Sequence, residues 1–118
     1  MPKSTPDATV LLQAAVKYLE TELMPTLEGY HRFQTRVTVN VLNTVRRELE
    51  LRDAQAAAEH ARLVSILGHD GDVEALSREL AERIRAGAIS IDDPALRAHM
   101  RQSLADALTI ANPKWLTR

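Results

Sequence analysis

Apolar residues recur at three- and four-residue intervals along most of the chain, in blocks separated by Pro, Gly and Asp. That period lines one face of a helix, and the punctuation predicts five of them. The first starts at "STPDA", where Thr5 can cap, Pro6 suits the first helical position and Asp7 favours the positive helix end. It turns Leu11, Leu12, Ala15, Val16, Leu19 and Leu23 inward, and Pro25 stops it. The second runs from about Tyr30 to Leu51. Its Val37, Val39 and Val41 alternate like a strand, but Val41, Val45 and Leu49 continue at four-residue spacing into the helix-forming "RRELEL". The third, "RDAQAAAEHARLVSILG", has Asp53 as its cap and Gly68 as its stop.

The acids of the turn "HDGD" sit at the start of the fourth helix, where charge and capping both favour them, and Val73, Leu76, Leu80 and Ile84 then form a narrow apolar stripe that Gly87 ends. Asp93 caps and Pro94 opens the fifth helix, which presents Leu96, Met100, Leu104, Ala107, Leu108 and Ala111 to the core before Asn112-Pro113 closes it. Short connections make consecutive helices antiparallel neighbours. The expected fold is all-α: a single compact up-and-down bundle of about five helices. It forms one domain over residues 1–118, with 1–5 and 113–118 as flexible tails.

The second helix carries the strongest candidate surface. At about 100° per residue, Arg36, Asn40, Asn43 and Arg47 fall within roughly a 60° arc, with Arg32 and Glu50 beside them and Val37, Val41, Val45 and Leu49 opposite. Such a ridge is either a solvated face or a binding strip. Most solvated faces mix Glu with Lys, whereas this one uses Arg and Asn, whose guanidinium and carboxamide groups suit a carboxylate, a phosphate or a partner helix. His31 stands at the ridge's start, and Phe33 reads as a core anchor.

His60 falls among Ala57, Ala61, Leu63, Val64 and Leu67, near the centre of an apolar face. It is either a satisfied core histidine or a functional group in a buried polar site. His99 lies at the edge of the fifth helix's apolar arc and is expected at a surface or interface, and His69 in solvent.

Charge and composition narrow the chemistry. Net charge is −1, so no strongly basic nucleic-acid footprint exists, and a helix-turn-helix reading lacks its basic recognition helix. Only Tyr18, Tyr30, Phe33 and Trp115 are aromatic, a poor supply for stacking on single-stranded bases. The absence of cysteine removes thiolate catalysis and cysteine-ligated metal, and suits the cytoplasm. No apolar run approaches the ~20 residues that span a bilayer, and no signal-peptide core is expected at the amino terminus. Di-iron chemistry needs paired Glu-x-x-His motifs, but only Glu28-Gly-Tyr-His31 has that spacing, and it straddles a glycine. Phosphate loops, dinucleotide fingerprints and zinc-spaced histidines are missing, so no metal or cofactor is expected.

Pro6-Asp7-Ala8, His31, Phe33, Arg36, Val37, Asn40, Glu48, Leu49, Gly71-Asp72, Arg85-Gly87 and Asn112-Pro113 carry a further signal. On these residues the chain resembles, from about Pro6 to Trp115, an uncharacterised family of short all-helical bacterial proteins. Members are often encoded near acyl-CoA dehydrogenases and kinases resembling aminoglycoside phosphotransferases. The resemblance implies a compact helical domain in the bacterial cytoplasm and an accessory role beside a larger enzyme.

The functional expectation is therefore a small accessory or protein-interaction domain associated with a larger metabolic enzyme, or with a second copy of itself. Its contact surface would be Arg36, Asn40, Asn43 and Arg47, with Arg32 and His31 at one end. The alternative is a binder of an anionic or acyl-type small molecule in a polar cavity near His60, Asn40 and Arg36. A third reading, an enzyme with His60 as general base, has no supporting motif. Neither nucleic acid nor membrane is an expected partner.

Overall fold

The computed structural model describes residues 7–117, and among them there is no β-strand. Four α-helices form: α1 Ala8–Tyr18, α2 Gly29–Leu67, α3 Val73–Arg85 and α4 Pro94–Ala111. A π turn, Leu19–Leu23, and a 3-10 turn, Met24–Thr26, follow α1, and a second 3-10 turn, Pro113–Thr117, follows α4. The all-helical expectation holds. The count does not, because the expected second and third helices are one 39-residue helix. Asp53, read as a cap, sits inside it. A single Asp in a helix interior costs only about 0.7 kcal/mol relative to Ala, and the Glu-, Arg-, Leu- and Ala-rich residues around it carry the helix through.

Threonine is tolerated in the amino-terminal half of α2 for a local reason. The hydroxyls of Thr35, Thr38 and Thr44 donate to the carbonyls of His31, Gln34 and Asn40, each four residues back. Each hydroxyl is thus satisfied within the helix rather than competing with it.

Most of the predicted stops and caps are confirmed. Pro25 has no N–H, and its ring would meet the carbonyl of Thr21 in a regular helix. The ladder ahead of it widens into the π turn, where the Met24 N–H reaches the Leu19 carbonyl. Gly68 and Gly87 both hold positive φ, at 82° and 78°, as left-handed stops. Asp72 accepts from the Ala75 N–H at 2.9 Å, and Asp93 from the Leu96 N–H at 2.9 Å ahead of Pro94. Asp7 occupies the N-cap position of α1 without a side-chain cap bond. The expected cap Thr5 and first-turn Pro6 lie outside the described residues, as do residues 1–5 and Arg118 of the expected tails. Within Pro113–Thr117, the Trp115 N–H donates to the Asn112 carbonyl at 3.1 Å.

The chain divides into two compact units, Met1–Leu51 and Arg52–Arg118, and the division falls within α2. The first has a small core of Val16, Met24 and Val39, with Leu19 and Leu42 against it. Leu11 and Ala15, expected inside, are exposed. The second has a larger core of Leu63, Leu67, Leu76, Leu80 and Leu96. The α3 stripe is as expected, with Leu76 and Leu80 buried and Val73 and Ile84 packed beside them.

On α4 the buried face is rotated from expectation. Leu96 is buried, but Met100 and Leu104 face outward, Leu104 with 67% of its surface exposed. His99 takes an interior place at 7% exposure.

Candidate functional site

The amino-terminal half of α2 meets α1 with Val39, which is 4% exposed, flanked by half-buried Thr35 and Leu42. These residues lie on a different arc from the valines expected to fill the core. Val37, Val41, Val45 and Leu49 all remain exposed, Val41 by 56%, and Phe33, the expected anchor, by 63%. The five stand at successive four-residue positions, so they form one row about 24 Å long that winds by roughly 160° around the helix. On ordinary side-chain areas they expose on the order of 400 Å² of apolar surface, a size at which the largest patch on a monomer is often functional. Tyr30 extends the row, and its ring meets that of His31 edge-on, with centroids 5.4 Å apart.

The Arg/Asn ridge lies on the arc between this row and the buried face. Its amino-terminal part, His31, Arg32, Arg36 and Asn40, is exposed. Asn43 and Arg47 are half-buried. Asn43 accepts from Arg46 at 3.4 Å, and Arg46 also reaches Glu50 at 3.2 Å. Arg47 donates to the Thr44 hydroxyl at 3.3 Å. The carboxy-terminal part of the ridge is therefore held by bonds along its own helix. The apolar row is the surface that sequence reasoning missed. A readable signal existed: apolar residues occupy two arcs of this helix, Val39 and Leu42 on one and Val37, Val41, Val45 and Leu49 on the other.

His60 and His99 exchange the places expected of them. His60 is half-exposed, and its Nε2–H donates to Asp70 Oδ1 at 2.8 Å and to the Gly71 carbonyl at 3.0 Å, tying α2 to the turn that follows it. Beside it, His69 Nε2 meets Glu79 at 2.8 Å, its Nδ1 faces the Asp70 carbonyl at 3.0 Å, and Glu79 also binds Arg83 at 2.7 Å. Two acceptors on one imidazole favour the charged ring. The His69 pKa is accordingly raised, first by the Glu79 hydrogen bond, and the Glu79 pKa is lowered by the same contact. The Gly71 N–H, then His60, lowers that of Asp70.

His99 is the buried member. Its Nδ1 accepts from Arg62 Nε at 3.0 Å, which leaves the proton on Nε2. Arg62 continues to the Ser103 hydroxyl at 3.4 Å and to Asp106 at 3.9 Å. Gln55 and Gln102 donate to the Asp106 carbonyl and carboxylate. Burial first, and then the Arg62 charge, lowers the His99 pKa.

These opposite shifts predict a stability profile with two sloping sides. His99, lowered from 6.5, stabilises fully above that pH and loses its contribution as pH falls toward its folded value. His69, raised from 6.5, stabilises fully below that pH and loses its contribution as pH rises through its folded value. Urea midpoints measured between about pH 5 and 8 should therefore fall on both sides. His69→Gln should flatten only the alkaline side. A profile unchanged by that substitution would contradict the assignment.

Among the described residues no helix is long and apolar enough to cross a membrane. No curated protein and no solved structure matches the chain. One family model does, that of a domain of unknown function, DUF6285, over residues 25–115. That span takes in the whole of α2, α3 and α4, with the apolar row, the ridge and both histidine clusters. With well over half of its length matched, the chain belongs to the DUF6285 family.

Proposed function

We propose that this protein is a small helical interaction module, an accessory to a larger metabolic enzyme of the bacterial cytoplasm, and that it docks through the apolar row of α2. The observation that carries the proposal is the exposure of Phe33, Val37, Val41, Val45 and Leu49 in one winding row. Around the row stand Gln34, Thr38 and Thr44, with Glu48 as the one carboxylate at its carboxy-terminal end, and, beyond them, the ridge of Arg32, Arg36 and Asn40. An apolar centre poor in charge, with arginine at its margin, is the composition of a protein-docking surface. The enzyme types come from the resemblance: an acyl-CoA dehydrogenase, or a kinase resembling aminoglycoside phosphotransferases.

The small-molecule reading around His60, Asn40 and Arg36 has less support. The His60 ring nitrogen Nε2 is already engaged by Asp70 and Gly71.

The test is calorimetric titration of the chain against a purified bacterial enzyme of each type that the resemblance implies, an acyl-CoA dehydrogenase and a kinase resembling aminoglycoside phosphotransferases, with Val41→Asp as the variant. Val41 is outside both cores, so its melting temperature should correspond to a loss of no more than about 1 kcal/mol, most of it helix propensity. Burying an unpaired carboxylate at the centre of a docked face should weaken binding about 100-fold or more. Equal affinity of variant and parent for the enzyme, or no binding by the parent to either enzyme, refutes the proposal.

A further inference from the structure

In the second unit, α4 and the end of α3 border a groove that the α2 face does not use. Its volume is about 540 Å³, and it is lined by Ile84, Ile91, Leu96, Met100 and Leu104, with Arg97 and Arg101. The size suits a bound group rather than a packing flaw. Leu96, Met100 and Leu104 form an i, i+4 row, and Arg97 and Arg101 form a second row one position along. The apolar row runs for about 12 Å of helix, and the two arginines stand beside its amino-terminal part, about 6 Å apart along the axis. Both arginines are exposed and, among the described residues, neither has an ion-pair partner. Of the two carboxylates at the start of α4, Asp93 is engaged in capping it and Asp92 is exposed.

We propose that this groove is a docking site for an acidic amphipathic helix of a protein partner. Apolar side chains at four-residue spacing fill the floor, and Asp or Glu on the flank of the same helix meets Arg97 and Arg101. The layout selects this occupant over a fatty acid. A single-chain amphiphile carries its charge at one end, whereas here two positive charges, one turn apart, lie alongside the apolar floor. Met100 at the centre gives the floor an adaptable side chain that accommodates differing anchors.

The test uses the full chain and three probes: a synthetic helix of about four turns with Leu every fourth residue and Glu on the flanks, its twin with Lys for Glu, and dodecanoate. Binding is followed by fluorescence anisotropy of labelled peptide and by methyl NMR signals of Ile84, Ile91, Met100 and Leu104. The Glu helix should bind about tenfold or more tightly than the Lys twin, weaken as salt rises, and shift those methyls. The double variant Arg97→Glu, Arg101→Glu should invert the preference with its circular-dichroism melt unchanged. Equal binding of the twins, no peptide binding, a preference that survives the double variant, or dodecanoate alone shifting the methyls would overturn the proposal. Val41→Asp should leave this titration as it was, so the α2 face and the groove succeed or fail separately.

Discussion

Truncation of Leu63 to alanine is expected to destabilise the second unit by about 3 kcal/mol, within the 2–5 kcal/mol range of buried Leu→Ala changes. Leu63 is fully buried, and it shares its core with Leu67, Leu76, Leu80 and Leu96 from three different helices. Such a site has little freedom to collapse around a lost side chain, because each neighbour is fixed by its own helix. The loss combines the transfer free energy of the missing atoms with the cavity they leave. Urea unfolding should show a lower midpoint with an unchanged slope. Hydrogen exchange of the α3 and α4 amides should place the loss in the second unit rather than the first. A change below about 1 kcal/mol, the ordinary range of a surface site, would mean that this core is not the one described.

Arg62→Leu should be the next most damaging change, at about 2–3 kcal/mol. It removes the donor to His99 Nδ1 and the contacts to Ser103 and Asp106 together. The cost arises less from the lost bonds than from what stays behind: a buried imidazole acceptor with no donor. Lysine should not restore the loss, since one ammonium cannot reproduce the fork that reaches three partners. A double-mutant cycle with His99→Leu isolates the effect. Removing both partners should cost less than the two single losses added, with a coupling of about 1 kcal/mol or more. NMR titration gives a second readout. Because the Arg62 charge helps to hold the His99 pKa down, that pKa should rise in Arg62→Leu. Strict additivity with no pKa change would remove Arg62 from this role.

The features of this fold that sequence reveals are those fixed within a few residues. Pro25, Gly68, Asp72, Gly87 and Asp93-Pro94 each act through a missing N–H, a positive φ or a cap bond, and each is where the sequence places it. Asp53 shows the limit. Its type permits a cap, but the neighbours on both sides outweigh it, and the helix continues.

Which arc of a helix is buried is a tertiary decision. On α2 two apolar arcs competed for a single neighbour in the first unit, and α1 packs against the one with Val39 and Leu42. On α4, Met100 and Leu104 lost the interior to His99, because Arg62 satisfies polar groups that sequence reasoning assigns to solvent. His60 followed the same logic in reverse, drawn outward by Asp70 and Gly71. The Arg/Asn ridge was legible as a line, since helical period alone aligns it. Its importance relative to the valines was not, because that depends on where α1 lies.

The threonine hydroxyls of α2 change what an approaching molecule meets. Thr38 and Thr44 flank the Val41 row, and each donates its hydroxyl proton to its own helix's carbonyl, Thr44 also accepting a hydrogen bond from Arg47. What remains pointing outward from each is a methyl. A hydropathy scale scores these positions as wholly polar margins, yet each has spent its proton inside the helix and offers a visitor a methyl beside an oxygen that can only accept.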